Sequence, residues 1–544
     1  MIIENIVSSK FIQTLICILI PILFLGSCKN DEEANLASIM GSRGNDGGEI
    51  SLFSPAPIPL INPLKNRTWQ ARSIYYLLYD NLIDVDRNLQ FVPRLAKSWE
   101  ISADAKKITF HLRDDVHWHN DRLFNADDVI YCFENYKKVA DPERPGHNLF
   151  DKVVKIENLN PYTVTVTYDK SYTFALADWI VEIVPKPGAD ATPTSLTTAG
   201  PVPLGSGPYY FAGQDTTKNY LTFKVFESYW NGRSHLDQIK VCFSSPEKAK
   251  SSLQAGELDH YILRNKELNK DDLKQFRKKF NLIHYTSLEY HYIGWQCDGS
   301  NPFFNHRRIR KAMTLALNRK KLLQNIYQGV GVLCDVPLPP WAIDENIRSL
   351  PYSPALAVDL LREVECKDEN SDGIREFKGQ DFNFTLLYQA DDVVAHQIVP
   401  FYQDSLRKIG IIMKPLGLSK KEMQRRIAGR LFDAYLLSDT VSLSCSNLEL
   451  FTNNSSEGGQ GNVLGYQDPT LDALVDKLFK NASPNDIEKY INLVIDRIIQ
   501  EQPGTFVFFH SNFIAMNKKI EMVAPCPRGL WEWYPSILDW YIPR

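Results

Sequence analysis

Most signatures by which an enzyme is recognised are missing from this chain. Its 544 residues hold no H-E-x-x-H, no G-x-S-x-G, no Walker P-loop and no G-x-G-x-x-G, which removes the common hydrolase, nucleotide and dinucleotide motifs. No C-x-x-C occurs, so neither a zinc ribbon nor a thioredoxin-type pair is present. The formal charge is −4, nearly neutral for this length and without the basic stripe of a nucleic-acid binder. Beyond the N-terminus no apolar run is long enough to cross a membrane. No fixed repeat period exists, which argues against solenoids and propellers.

What is present begins at the N-terminus. Lys10 precedes an apolar run from Phe11 to Leu25, shorter than the roughly 20 residues of a stable span and suited to a secretory signal. It closes on Leu25-Gly26-Ser27-Cys28, which resembles a bacterial lipobox. That resemblance implies cleavage before Cys28, diacylglycerol on its thiol and attachment to a membrane face. Residues 29–48 are polar and Gly-rich, a flexible tether after the lipid. The expected location is the cell envelope, lipid-anchored and facing periplasm or exterior. Of nine cysteines, Cys17 leaves with the signal and Cys28 is lipidated. The other seven form an odd set with at least one free thiol, mostly small buried hydrophobes.

Strands and helices are mixed along the rest of the chain. Residues 49–53, 107–113, 163–168, 221–226 and 381–388 read as strands. Ala126–Lys137 reads as a helix opened by Asn125, with Asp127 and Asp128 in its first turn. Residues 69–81, 468–480 and 485–500 also read as helices. Residues 307–327 read as one long helix with Ile309, Ala312, Met313, Ala316 and Leu317 on one face. Loops near 187–206, 290–296 and 502–504 are candidate borders between sub-domains. The class is α/β or α+β.

A series of motifs in fixed order carries a resemblance. They begin with YYLLYDNLIDVD, FVPRLAKSWEISAD and KKITFHLRDDVHWHNDRLFNADDVIYCFENY over residues 75–136. Gly205-Ser206-Gly207-Pro208-Tyr209, Tyr229-Trp230-Asn231-Gly232, residues 253–259 (LQAGELD) and residues 302–319 follow. Asp372 to Glu376 and Asn462 to Tyr466 complete the series. In this order they resemble the family 5 extracellular solute-binding proteins, substrate-binding subunits of ABC importers for oligopeptides, dipeptides and nickel.

The resemblance implies an α/β fold, a two-lobed periplasmic-binding-protein clamp (type II, peptide-binding-protein-like) with an extra inserted domain. Lobe I collects 46–81, 203–293 and 500–544, domain II is 82–202, and lobe III is 294–499. Segments near 290–296 and 498–504 form the expected hinge, with Gly294 in it. The implied function is capture of an oligopeptide or other small polar solute and delivery to an ABC permease and its ATPase, by a monomer without cofactor, nucleic acid or catalysis. A surface lipoprotein for adhesion or sensing on the same fold is the alternative.

The family's ligand-facing segments map here to Arg67, Thr68 and Trp69 after Asn62-Pro63, and to the stretch beyond strand 432–437. Trp295 is a further expected ligand contact. Peptide binders of the family carry a Trp and an amine-pairing Asp in the second segment. Here Ser438 stands for the Trp, Asp439 comes a few residues early, and Thr440, Ser442 and Ser444 offer a neutral lining. An extended ligand would add as a strand beside such backbone. Two metal-like patterns are expected to be structural. His111, His117 and His119 share parity across a hairpin, where a metal needs convergence at about 2 Å. Residues 368–376 match half an EF-hand loop, but Gly379 falls where the bidentate Glu belongs.

Overall fold

The computed structural model describes residues 47–543 apart from 59–60, 86–90, 139–148, 172–174, 188–201, 264–269, 328, 339–348, 443–444, 454–460, 481–483, 523–536 and 538–539. The signal and Cys28, most of the tether, Ser444 and Cys526 lie outside the described residues.

Strand β1 (Glu49–Ser54) buries Ile50, Leu52 and Phe53. A Pro-rich loop leads to α1 (Trp69–Leu78), whose Ala71, Ile74, Tyr75 and Leu78 are buried at helical spacing. A short pair, β2 (Ile83–Val85) with β3 (Phe91–Pro93), introduces a separate antiparallel sheet. That sheet holds β4 (Ala96–Ile101), β5 (Lys107–Leu112), β6 (Val153–Asn160) and β7 (Thr163–Tyr168) in the order β4-β5-β7-β6. Alternation turns Ile108, Phe110 and Leu112 to the core with Val164, Val166 and Tyr168. Helix α2 (Ala126–Tyr136) covers β6 and β7. Asn125 caps it by accepting the Asp127 amide at 2.9 Å, while Asp128 accepts the Asn125 amide at 3.2 Å, a reciprocal capping box.

The chain then returns to the main sheet through β8 (Tyr209–Asp215), β9 (Tyr220–Val225), β10 (Gln238–Phe243), α3 (Pro246–Ala255), β11 (His260–Leu263), α4 (Lys270–Lys279) and β12 (Phe280–Trp295). Helices α5 (Arg307–Leu315), α6 (Arg319–Tyr327) and α7 (Pro354–Arg362) precede the acidic turn and its ladder, β13 (Glu376–Phe377) and β14 (Gln380–Asp381). The run continues with β15 (Asn383–Gln389), α8 (Ala395–Arg407), β16 (Ile412–Leu418), α9 (Lys420–Ala428) and β17 (Ala434–Thr440). Helices α10 (Pro469–Lys480) and α11 (Pro484–Glu501) and strand β18 (Gly504–Asn517) follow, and the order ends with a short antiparallel pair, β19 (Glu521–Met522) and β20 (Trp540–Tyr541). Ten strands share one sheet in the order β16-β15-β17-β12-β18-β11-β1-β10-β9-β8.

One buried carboxylate fastens the inserted sheet to this framework. Asp80, just past α1, accepts from Arg94 Nη2 at 2.6 Å, Tyr229 OH at 2.9 Å, Trp230 Nε1 at 2.9 Å and Ser206 Oγ at 3.4 Å. Gly205 and Gly207 permit the close approach beside it, since a Cβ on Gly205 would sit 1.7 Å from the Leu78 carbonyl oxygen. The resembling motifs P-R-L-A, G-S-G-P-Y and Y-W-N-G thus meet at one knot.

The single helix expected over 307–327 is two helices. Asn318 accepts the Lys321 amide at 2.9 Å and so starts α6 anew. Arg319 turns inward and donates to the carbonyls of Cys334 at 2.7 Å and Phe506 at 3.0 Å. In the segment 290–296 the crossing pair has a register shift between His291 and Tyr292, and Gly294 stands two residues past it. It is paired with both Tyr435 and Gly504, and a Cβ there would lie 2.5 Å from the Tyr435 ring, so its role is close packing. The six described cysteines are free thiols, five of them buried, as small core residues are. Among the described residues no helix is long and apolar enough to cross a membrane.

Candidate functional site

Strand direction locates the site. In one half of the sheet β1, β10 and β11 run parallel, and Ser54 pairs with Phe243 at their carboxyl ends. Leu263, at the end of β11, lies beside Phe513 of β18, which in turn pairs with His284 of β12. In the other half β15, β16 and β17 run parallel to one another and antiparallel to β12, with Thr440 opposite Glu289. The carboxyl ends of the two halves therefore face each other along β12 and β18. Between them Ser287, Leu288 and Glu289 of β12 stand against His510 alone of β18, a bulge in the crossing pair. Open α/β sheets bind ligands outside strand carboxyl ends, and here two such rims meet.

The near rim carries the loop after β1. Asn62 accepts the Leu64 amide at 3.0 Å, and Asn66 accepts the Thr68 hydroxyl at 2.9 Å. Thr68 is exposed and is the N-cap residue of α1. Arg67 is only 7% exposed, and its guanidinium lies 5.1 Å from the Tyr136 ring centroid. It packs toward α2 and is not solvated. Trp69 opens α1.

The far rim carries the segment after β17. Asp439 Oδ2 accepts from Asn447 Nδ2 at 2.9 Å and Tyr290 OH at 3.3 Å, and Oδ1 accepts the Thr440 amide at 2.8 Å. Burial, reinforced by the Asp439 charge, holds the Tyr290 phenol protonated well above its usual range. Asn447 also donates to the Thr440 carbonyl at 2.9 Å and accepts the Ser442 amide at 2.5 Å. Thr440 is exposed, whereas Ser442 is 5% exposed. Asp439 is thus integrated into its own loop. Asn447 organises this rim and was not anticipated; its only sequence signal is an Asn in a Ser-rich turn.

On the opposite face of the same strands stand Glu289, His291, Ser438 and His510. Ser438 Oγ donates to Glu289 Oε1 at 2.6 Å. His291 Nε2 lies 2.8 Å from Asp392 Oδ2, and its Nδ1 lies 2.7 Å from His510 Nε2. Burial pushes the Asp392 carboxyl up, but the His291 hydrogen bond and the Ala395 and Val394 amides outweigh it and leave it at about 2. Burial takes the His510 imidazole down to about 4, with Glu289 opposing and His291 reinforcing.

Trp295 is a correction. It is fully buried, with its ring 4.6 Å from that of Phe304. It stands six residues past Glu289 on β12, about 20 Å along the strand, so it serves the core of that half and not the rim. The three hairpin histidines do not converge. His111 faces Glu100 at 3.2 Å, while His119 lies between the Gly207 carbonyl at 2.9 Å and the Gly205 amide at 3.3 Å. Burial lowers His119 to about 4, which keeps it neutral. In the acidic turn Asp368, Asp372 and Glu376 bring oxygens within 4.8 Å of one another. Asp368 accepts the Gly373 amide at 3.0 Å, Asp372 the Ile374 amide at 2.8 Å and Glu376 the Glu369 amide at 2.7 Å.

A sequence model of the bacterial extracellular solute-binding proteins, family 5 (middle), matches residues 90–460. The chain is similar to the oligopeptide-binding protein AppA of Bacillus subtilis, 25% identical over 521 residues, 92% of this chain and 93% of that one. It is similar to heme-binding protein A of Haemophilus influenzae, 26% identical over 552 residues, 95% of this chain and 97% of that one. NikA of Brucella suis, solved in complex with Fe(III)-EDTA, aligns with a TM-score of 0.75 at 19% identity, over 91% of this chain and 100% of that one. The fold is the mixed α/β fold of periplasmic binding proteins.

Proposed function

The chain belongs to the bacterial extracellular solute-binding proteins of family 5, and from that premise we propose that it is a lipid-anchored binding protein that closes two lobes on a peptide-like solute. Members of this family serve ABC transporters as non-enzymatic substrate-binding proteins outside the cytoplasm. Their solutes differ, and the names of this chain's relatives include peptide and heme binders.

The observation that carries the reading is the opposition of two carboxyl-end rims across the Thr286–Tyr290 bulge. Lobe I would be 46–81, 203–293 and 500–544, with domain II (82–202) inserted in it and lobe III (294–499) opposite. Domain II would ride with lobe I, since the Asp80 knot ties Arg94 to Tyr229 and Trp230. Arg67, Thr68 and Trp69 would approach the solute from one side, and Asp439, Thr440, Ser442 and Ser444 from the other. Closure would be driven only by the solute's preference for the closed form. The lipid on Cys28 would keep the protein beside its permease.

Mass spectrometry of solute released from freshly isolated protein, with thermal shift against peptide, sugar and nickel pools, tests the ligand class. Trp69→Ala and Asp439→Asn are each expected to weaken binding by about 1–3 kcal/mol. Unchanged affinity in both would misplace the cleft. A radiolabelled fatty acid retained by Cys28→Ala would refute the anchor.

A second reading rests on the Asn447, Tyr290 and Thr440 contacts of Asp439. A carboxylate so engaged favours a neutral polar end group on the solute over a free amine. Equal binding of N-acetylated and free peptides would support it, and loss of binding on acetylation would refute it.

A further inference from the structure

Four ionisable side chains run in single file across the bulge, and solute capture as described above makes no use of them. The file is Asp392, His291, His510 and Glu289. Asp392 Oδ2 is 2.8 Å from His291 Nε2, and His291 Nδ1 is 2.7 Å from His510 Nε2. His510 Nδ1 is 3.4 Å from Glu289 Oε2. Asp392 is pinned by the Val394 and Ala395 amides at 2.9 and 3.0 Å.

The file has three gaps, and each needs one proton to become a hydrogen bond. Two neutral imidazoles supply only two N–H groups. If Asp392 takes the His291 Nε2 proton, His291 Nδ1 becomes the acceptor for His510 Nε2–H. His510 Nδ1 then presents a lone pair to the Glu289 carboxylate, acceptor against acceptor. That gap is the longest of the three. One added proton closes it and makes His510 an imidazolium beside two carboxylates.

The groups around the file come from the described residues. Facing His510 are Glu289 and His291 from β12, Asp392 from the residues before α8, and the Tyr327 ring of α6 at 6.4 Å. The Tyr327 hydroxyl is buried, and burial together with the Glu289 and Asp392 charges keeps it protonated against the opposing Ser511 backbone contact. Ser438 completes the ring from β17. The Glu289 side chain is 48% exposed and lies in the bulge, between the rims.

We propose that this file is a proton-linked latch on lobe closure, in which the closed form takes up one proton between His510 and Glu289 and the open form releases it. The proposal rests on the two-lobe reading. Closing the rims removes water from Glu289, and a carboxylate that loses water gains from an adjacent imidazolium. By linkage the proton then favours the closed form by the factor by which closure favours the proton. In the form described here His510 titrates at about 4, so the latch is unprotonated at neutral pH. Acidification favours closure, up to about tenfold in the closed-to-open ratio for each tenfold gain in proton affinity.

The test is small-angle X-ray scattering of the solute-free full chain between pH about 7.5 and about 4.5. The wild type is expected to compact on acidification, while Glu289→Gln and His510→Gln match it at pH 7.5 and lose the response. Acid unfolding has the opposite sign, expansion, and a thermal melt at each pH identifies it. Glu289→Gln alters a half-exposed side chain, so it reports even if His510→Gln does not fold. A wild type of constant size down to unfolding, or variants that compact equally, overturns the latch. Solute pools added at pH 7.5 separate the two readings. Compaction by solute without compaction by acid removes the latch alone, and neither response removes both.

Discussion

Asp80→Asn tests how the separate four-stranded sheet is fastened to the main one. Asp80 is 2% exposed and accepts four donors, of which Arg94 is charged and the Arg94 side chain 13% exposed. The Asn variant keeps one acceptor oxygen and turns the other position into a donor facing donors. Arg94 loses the carboxylate it donates to at 2.6 Å, while its guanidinium remains stacked 5.3 Å from the Trp230 ring centroid. Removing one partner of a buried ion pair costs about 3–5 kcal/mol. A hydrogen bond to a charged group contributes about 1.5–3 kcal/mol, but these terms overlap and do not add. The expected loss is therefore about 3–5 kcal/mol, a large share of the roughly 5–15 kcal/mol that holds a typical protein folded. Urea unfolding followed by tryptophan fluorescence should show the first midpoint falling by about 1–2 M, for a slope of about 2–3 kcal/mol/M. Adding Arg94→Met removes the stranded charge and should return about 1 kcal/mol or more. A single variant within about 1 kcal/mol of wild type, or a double variant in which the losses simply add, would refute the reasoning.

Other outcomes follow from the same geometry. Gly205→Ala places a Cβ 1.7 Å from the Leu78 carbonyl oxygen and should cost more than about 3 kcal/mol, beyond an ordinary point change; an unchanged melting temperature would contradict that contact. Asn318→Ala removes the acceptor of the Lys321 amide and should cost about 1 kcal/mol in urea titration, whereas a neutral result would mean the break before α6 is set by Arg319. Burial lowers His119 to about 4 and His260 to about 3. The unfolded chain, with imidazoles near 6.5, therefore binds protons that the folded chain refuses. Stability should be flat above pH about 7 and fall as pH drops from about 6.5 toward 4, with His119→Gln flattening part of that slope. Melting temperatures that hold or rise over this range would disprove the sign.

Much of the framework was legible because it depends on local pattern. The alternation of 107–112 and 163–168 named two strands that pair with each other, and Asn125 marked the start of α2 before any tertiary contact is considered. The break at Ala316–Asn318 was hidden because the apolar face runs through it: Leu315, Ala316, Leu317 and Leu322 are all buried. Periodicity cannot register a kink that keeps the same side inward. Trp295 was misread because a strand-end tryptophan looks like a stacking platform, while its neighbours Phe304 and Phe384 come from other elements. The file from Asp392 to Glu289 was invisible for a related reason. His291 and His510 lie 219 positions apart, and only the antiparallel register of β12 and β18 makes them neighbours. Asp439 could be found as a carboxylate, but its engagement by Asn447 depends on how the following turn folds back.

The ten strands form one uninterrupted fabric from β16 to β8, and the three-against-one mismatch at Thr286–Tyr290 is a crease in it. A creased ribbon can fold, but its panels cannot slide past each other or separate without tearing backbone hydrogen bonds along β12 and β18. On the two-lobe proposal, motion would be reduced to a single angle, and the outermost corners would travel furthest for a given turn. Any membrane partner that grips both panels at those corners would read occupancy as lever displacement, without touching the guest.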